Sequence, residues 1–239
     1  MKIIILLCAL LSSLASAGPI ILRDFNWEVS DIAERGLNKE DIFKKMNRRF
    51  VRLKDSICSN RAQVWAYDFK RHYQTNNAKI FLFFTERNGS YGELTWWYHV
   101  TPAVNEKGRL YALDAGFPSR IKTPLALKDW LKEFSKGETC RELKIGDNEL
   151  IKNIYRQRVF PIHTPDGSHG CYYVVAPEGY WIPGALAKFM LGQDEDGRPI
   201  NFSRDRLEYS EVYQACLEVS TNPIGWALGE GHRKCQEYL

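Results

Sequence analysis

The sequence predicts an α+β protein in which a cysteine near the start of a helix packs on an antiparallel sheet. Three observations carry this. An amphipathic helical pattern begins at Cys58; three strand-like runs follow it in succession; and turn signals separate those runs. The chain of 239 residues is one domain of generous size, or one domain with an appendage, and can bury a sizeable core. Its net charge of +4 is mild and no run of Lys and Arg stands out, so a nucleic-acid partner is not expected.

The elements read as follows. Lys2, the apolar run 3–11 and the closing Ala15-Ser16-Ala17 form a secretory signal peptide, residues 1–17, with the mature chain starting near Gly18. The apolar run is too short to span a bilayer, and no later stretch is long enough to do so. The expected location is therefore periplasmic or secreted. Asn38 caps a helix over 39–54, in which Ile42, Met46, Phe50 and Leu53 recur at helical spacing. After a break at Asp55-Ser56, a second helix starts near Cys58, with Ala62, Trp65, Ala66 and Phe69 on one face. Strands are expected over 79–84, 94–101 and 110–114. Asn88-Gly89 and then Asn105-Glu106-Lys107-Gly108 are the turns between them. A helix over 125–134 follows. Beyond Gly137 the expected elements are a strand over 171–176, a short helix over 185–191, a polar loop over 193–198 and a helix over 206–219 stopped by Asn222-Pro223. The expected organisation is a signal peptide, a catalytic core over 18–136 and a C-terminal region, 137–239, packed on it.

Cleavage removes Cys8 and leaves Cys58, Cys140, Cys171, Cys216 and Cys235. Five is odd, so in an oxidising compartment a monomer keeps at least one thiol unpaired. Counting does not say which; Cys216 with Cys235 is the pairing that proximity suggests.

A cysteine in the first turn of a helix lies where backbone N–H groups and the helix dipole favour the thiolate. A nearby imidazole, oriented by a third group, completes a nucleophilic set. His99, in Trp96-Trp97-Tyr98-His99-Val100, lies on the second strand, and Asp114, in Leu113-Asp114-Ala115-Gly116, ends the third. Adjacent antiparallel strands bring such positions side by side. The blocks Cys58-Ser59-Asn60-Arg61-Ala62, Trp97-Tyr98-His99-Val100 and Leu113-Asp114-Ala115-Gly116-Phe117 resemble the catalytic blocks of bacterial protein-glutamine glutaminases, in order and at similar intervals. The stretch 123–130 resembles a segment downstream of that family's aspartate.

That resemblance implies a papain-like, transglutaminase-like core. It also implies Cys58 as nucleophile, His99 as general base and acid, Asp114 as the residue orienting His99, and deamidation of protein-bound glutamine through a thioester. It implies no metal and no organic cofactor, and a protein or peptide with an accessible Gln as partner. An inhibitor or immunity protein is a partner the sequence leaves open. Trp96 and Trp97 are candidate substrate-binding residues, one facing the site and the other the core, since neighbours on a strand point to opposite faces. Arg61 pairs with a carboxylate near the helix start or lies at the surface.

The chain also departs from the family. About forty residues separate the signal cleavage from Cys58, which leaves no room for the pro-segment that the family carries. The region 137–239 has no counterpart in the resemblance.

Other readings use the same residues. A papain-like protease and a transglutaminase-like acyl transferase share the acyl-enzyme and differ in its acceptor. Ser168-His169-Gly170-Cys171, with His163 upstream, resembles the nucleophile motif of L,D-transpeptidases, although Tyr173 stands where that family has Arg. A metal at His163, His169 and Cys171 lacks a fourth ligand at recognisable spacing. The default for Cys171 is a disulfide. A non-catalytic binding domain would be marked by loss of Cys58, His99 or Asp114, and all three are present.

Overall fold

The computed structural model describes residues 18–49, 58–84, 90–91, 94–95, 97–117, 120–135, 139–157, 171–192, 209–219, 229, 232–233 and 235–236. Two helices, α1 (Lys39–Arg49) and α2 (Cys58–Tyr73), follow an N-terminal hairpin of β1 (Ile20–Leu22) and β2 (Trp27–Val29). Then come β3 (Ala78–Phe84), β4 (Ser90–Tyr91), β5 (Leu94–Thr95), β6 (Tyr98–Glu106), β7 (Arg109–Ala112), β8 (Leu125–Ala126) and α3 (Leu127–Phe134). The C-terminal part supplies β9 (Arg141–Glu142), α4 (Asn148–Gln157), β10 (Cys171–Pro177), α5 (Pro183–Leu191) and α6 (Tyr209–Val219). No described helix is long and apolar enough to cross a membrane.

Six strands form the main sheet in the order β8-β7-β6-β3-β10-β9. Every neighbouring pair is antiparallel except β9 with β10. β3, with the sequence AKIFLFF, is buried along its whole length. It is flanked by β6, 20 residues on, and by β10, from far along the chain. Thus the region beyond 137 contributes a strand inside the sheet rather than only a cover for it. α2 packs against β6 and β3, and α6 packs on α2. The signal segment 1–17 and the turn Asn88-Gly89 lie outside the described residues, as do 50–57 and 193–208.

Local chemistry explains several element ends. Asn38 caps α1, its Oδ1 accepting from the Asp41 N–H at 2.9 Å. The strand expected to end before Asn105 runs on through Glu106, and the hairpin turns at Lys107-Gly108, both at positive φ (54° and 73°). Asn105 stays in the strand because it is buried there, its amide donating to the Gly18 and Val29 carbonyls at 2.9 and 3.3 Å. Leu125 and Ala126, expected in the helix, instead pair with Ala112 and Tyr111 as β8, and α3 starts after them. α4 and β9 were not expected from the sequence.

One strand residue breaks the apolar pattern. Lys79 is fully buried in β3, donating to Gln63 Oε1 and, at 2.9 Å, to the Tyr180 carbonyl. Burial pulls its ammonium down to about 7 against the opposing charges of Glu178 and Glu211. Glu178 is buried beside it and pairs with Lys70 at 2.6 Å.

Cys140 pairs with Cys171 and Cys216 with Cys235, leaving Cys58 as the free thiol among the described residues. The first bridge ties the start of β10 to the segment beside β9, across 31 residues. Replacing both cysteines by Ala is expected to lower stability by about 3–4 kcal/mol, the loop entropy of that span, as read by urea unfolding. Cys171, wholly buried and in a disulfide, cannot serve as a nucleophile, so the transpeptidase reading falls. His163 and His169 lie outside the described residues.

Candidate active site

The site forms where β7 stops short. β7 pairs with β6 only over residues 103–106 of β6, and one further bond, from the Leu113 N–H to the Pro102 carbonyl at 2.8 Å, extends the ladder. Among the described residues no strand pairs with the outer edge of β6 near His99, and Cys58 lies against it. The Val100 backbone N–H bonds the Cys58 sulfur, and the His99 side chain bonds it as well.

Alternation along β6 sends neighbouring side chains to opposite faces. Tyr98 turns to the α2 side, where its hydroxyl donates to Ser59 Oγ at 3.2 Å. His99 turns to the α3 side. There its ring stacks on Trp130 at 5.7 Å and meets Phe134 at 5.0 Å and Phe117 at 5.2 Å. Trp130 and Phe134 are four apart on α3 and both fully buried, which gives the imidazole a rigid aromatic wall.

Asp114 follows β7 and meets His99 Nε2 through Oδ2 at 2.7 Å, leaving Nδ1 for the thiol. The same Oδ2 accepts from Trp130 Nε1 at 3.0 Å, while Oδ1 accepts from the Gly116 N–H at 3.2 Å. The carboxylate is thus held on both oxygens. Trp130→Ala removes a buried indole and one of these donors. It is expected to cost about 3–5 kcal/mol, measurable by urea unfolding.

The electrostatics follow from burial and pairing. Burial pushes the Cys58 thiol up, but the hydrogen bond to His99, the imidazolium charge and the Arg61 guanidinium outweigh it, and the net shift is downward. Burial alone would lower His99; the charge and hydrogen bond of Asp114, with the contact to Cys58, instead raise it to about 9. Asp114 is pushed up by burial and pulled further down by His99, Trp130 and Arg61. All three shifts favour a thiolate–imidazolium–carboxylate arrangement at neutral pH. Tyr98 is raised by burial and by the nearby thiolate, so its phenol stays protonated.

The structure thus brings together Cys58, His99 and Asp114. Trp97 is half-buried, its ring on Tyr98 at 4.6 Å and Phe83 at 6.3 Å. Trp96 lies outside the described residues. Sequence reasoning missed the roles of Trp130, Phe134, Tyr98 and Gly116. The helical spacing of Trp130 and Phe134 signals a common face, but not that the face covers the histidine. Among the described residues no cluster of His, Cys, Asp or Glu suits a metal ion.

A mixed α+β fold with a lowered-pKa thiol, a hydrogen-bonded imidazole and an orienting carboxylate defines a centre suited to acyl transfer at amide carbonyls. Residues 38–134, which contain all three groups, match the model of a family described as glutaminase. No curated protein matches the chain. Among solved structures, the NMR structure of protein-glutaminase from Chryseobacterium proteolyticum is similar at 12% identity and a TM-score of 0.42, the match covering 82% of this chain and 93% of that one.

Proposed function

We propose that the chain hydrolyses the side-chain amide of protein-bound glutamine to glutamate and ammonia, with Cys58 as nucleophile, His99 as general base and acid, and Asp114 orienting His99. The observation that carries this is the free Cys58 thiol bonded to His99, itself bonded to Asp114 at 2.7 Å, all inside the segment that matches the glutaminase family. The fold is read as papain-like. The described helix α2 begins at Cys58 and packs on the antiparallel pair β3–β6 that bears His99.

In the proposed mechanism the Cys58 thiolate attacks the carboxamide carbon of the glutamine. The oxyanion that forms is met by the Cys58 backbone N–H at the helix start, and each such donor is worth about 10²–10³ in rate. His99 Nδ1 gives its proton to the leaving ammonia. A water, deprotonated by His99, then attacks the thioester and releases glutamate. Trp96 and Trp97, beside the histidine strand, are proposed to line the approach of the substrate. The two disulfides support an exported location, consistent with the signal peptide read from residues 1–17.

The test is ammonia release from casein, with enzyme pre-alkylated by iodoacetamide as control and mass spectrometry on the substrate. Ammonia together with the mass change of an amide-to-acid exchange at glutamines, absent after alkylation, supports the reading. Cleaved peptides would move the chain to the proteases, and glutamyl cross-links to the acyl transferases.

A further inference from the structure

We infer that Arg61 is a positioning residue that completes the charge balance of the Cys58–His99–Asp114 cluster, seated there because Gly116 has no side chain. This rests on the reading of Cys58 as nucleophile.

Arg61 lies three residues after Cys58 on α2, so the two share a helix face. It is only 7% exposed, and a guanidinium is almost never buried to that degree unless it is paired. The geometry at Gly116 shows where it points. A Cβ built on Gly116 would lie 3.0 Å from Arg61 Nη2, 3.4 Å from Arg61 Nε and 3.1 Å from Asp114 Oδ1. The Nε–Nη2 edge of the guanidinium, the edge that pairs with carboxylates, therefore converges with Asp114 on one point beside the glycine. Asp114 uses Oδ2 for His99 and Trp130 and turns Oδ1 to the Gly116 N–H, on the side where Arg61 lies.

The charges then balance. A thiolate, an imidazolium and a carboxylate sum to one negative charge in a buried site. Arg61 interacts with both anions and brings the sum to zero. Among the described residues, the other titratable side chain facing Cys58 is Tyr98, from β6, which burial keeps neutral. α3 brings Trp130 and Phe134 against His99, and neither carries charge. Removing the guanidinium disfavours both the thiolate and the loss of charge compensation that accompanies deprotonation of His99. Both limbs of the pH profile then move to higher pH. Residue 116 is part of the same device, since any larger side chain occupies the volume in which the guanidinium and Asp114 meet.

The experiment is the pH dependence of Cys58 alkylation by iodoacetamide, and of kcat/KM on casein, for wild type, Arg61→Gln, Arg61→Lys and Gly116→Ala. In Arg61→Gln the acid limb is expected to move up by about one pH unit, with alkylation about tenfold slower on that limb. Arg61→Lys, which keeps a cation, reverses part of the shift. Gly116→Ala reproduces it with the arginine still present. A fall in kcat/KM with both limbs unmoved in Arg61→Gln would overturn the inference and leave Arg61 a scaffold residue. If Arg61→Gln does not fold, Gly116→Ala decides by the same criterion. Wild-type Cys58 alkylating with the pH dependence of an ordinary thiol would sink the nucleophile reading itself, a different result from unmoved limbs in the variants.

Discussion

Cys58→Ala is expected to abolish ammonia release from protein glutamine, a fall of about 10⁶ in kcat, the size seen when the nucleophile of a hydrolytic triad is removed. The argument is chemical. No other described cysteine is free, since Cys140, Cys171, Cys216 and Cys235 are paired in disulfides. The neighbouring hydroxyl, Ser59, accepts from the Tyr98 hydroxyl at 3.2 Å, and a serine needs an adjacent base to become a nucleophile. Stability should change little. The thiol is partly exposed, and once it is gone His99 can release its proton, so no uncompensated charge need stay in the site. A urea midpoint close to wild type, beside the lost ammonia signal, separates chemistry from folding. Appreciable activity in this variant would dismiss Cys58 as the nucleophile.

Asp114→Asn is the second large effect. Asn keeps the shape, and its one oxygen can still accept from Trp130 Nε1 and His99 Nε2 at the cost of the Gly116 N–H contact, so the ring stays oriented. What is lost is the charge that, with its hydrogen bond, raises His99 to about 9 despite burial. The His99 pKa must fall, because a carboxylate no longer stabilises the imidazolium. The protonated imidazole needed for ammonia departure is then scarcer at neutral pH. A loss of about 10²–10⁴ in kcat/KM is expected, the range for an orienting carboxylate. The alkaline limb of the pH–rate profile should move to lower pH, opposite in sign to the shift expected for Arg61→Gln. An unmoved limb would mean that Asp114 only holds the ring in place.

The same site bears on stability. His99 has a folded pKa raised above its ordinary value of 6.5, so its pairing with Asp114 stabilises the fold fully below that value. This contribution fades as pH rises through about 9. In Asp114→Asn the alkaline part of the stability curve should flatten.

Much of the local structure is legible in the sequence because it is encoded over short spans. The period of Ala62, Trp65, Ala66 and Phe69 is that of a half-buried helix, and α2 spans them. Asn38 announces the start of α1 through a hydrogen bond three residues long. The motif blocks point to Cys58, His99 and Asp114 in order. The pairing of Cys216 with Cys235 follows from proximity along the chain.

Other features depend on contacts between distant segments, which no local period records. A lysine in a strand usually marks an edge, yet Lys79 sits in the central strand because Gln63 and the Tyr180 carbonyl, brought by α2 and by the chain after β10, receive its ammonium. Arg61 reads as equally suited to the surface until Gly116 and Asp114 provide its place in the interior. The role of Trp130 appears only when α3 lies over His99. The sequence by itself determined the helix and strand periods and the order of the blocks that carry Cys58, His99 and Asp114, because these are properties of residue type and near-neighbour spacing. The tertiary structure decided which edge of β6 stays open for Cys58, which oxygen of Asp114 meets His99 and which charges surround them. Those outcomes depend on strand register and on the short length of β7, set by packing across the whole chain.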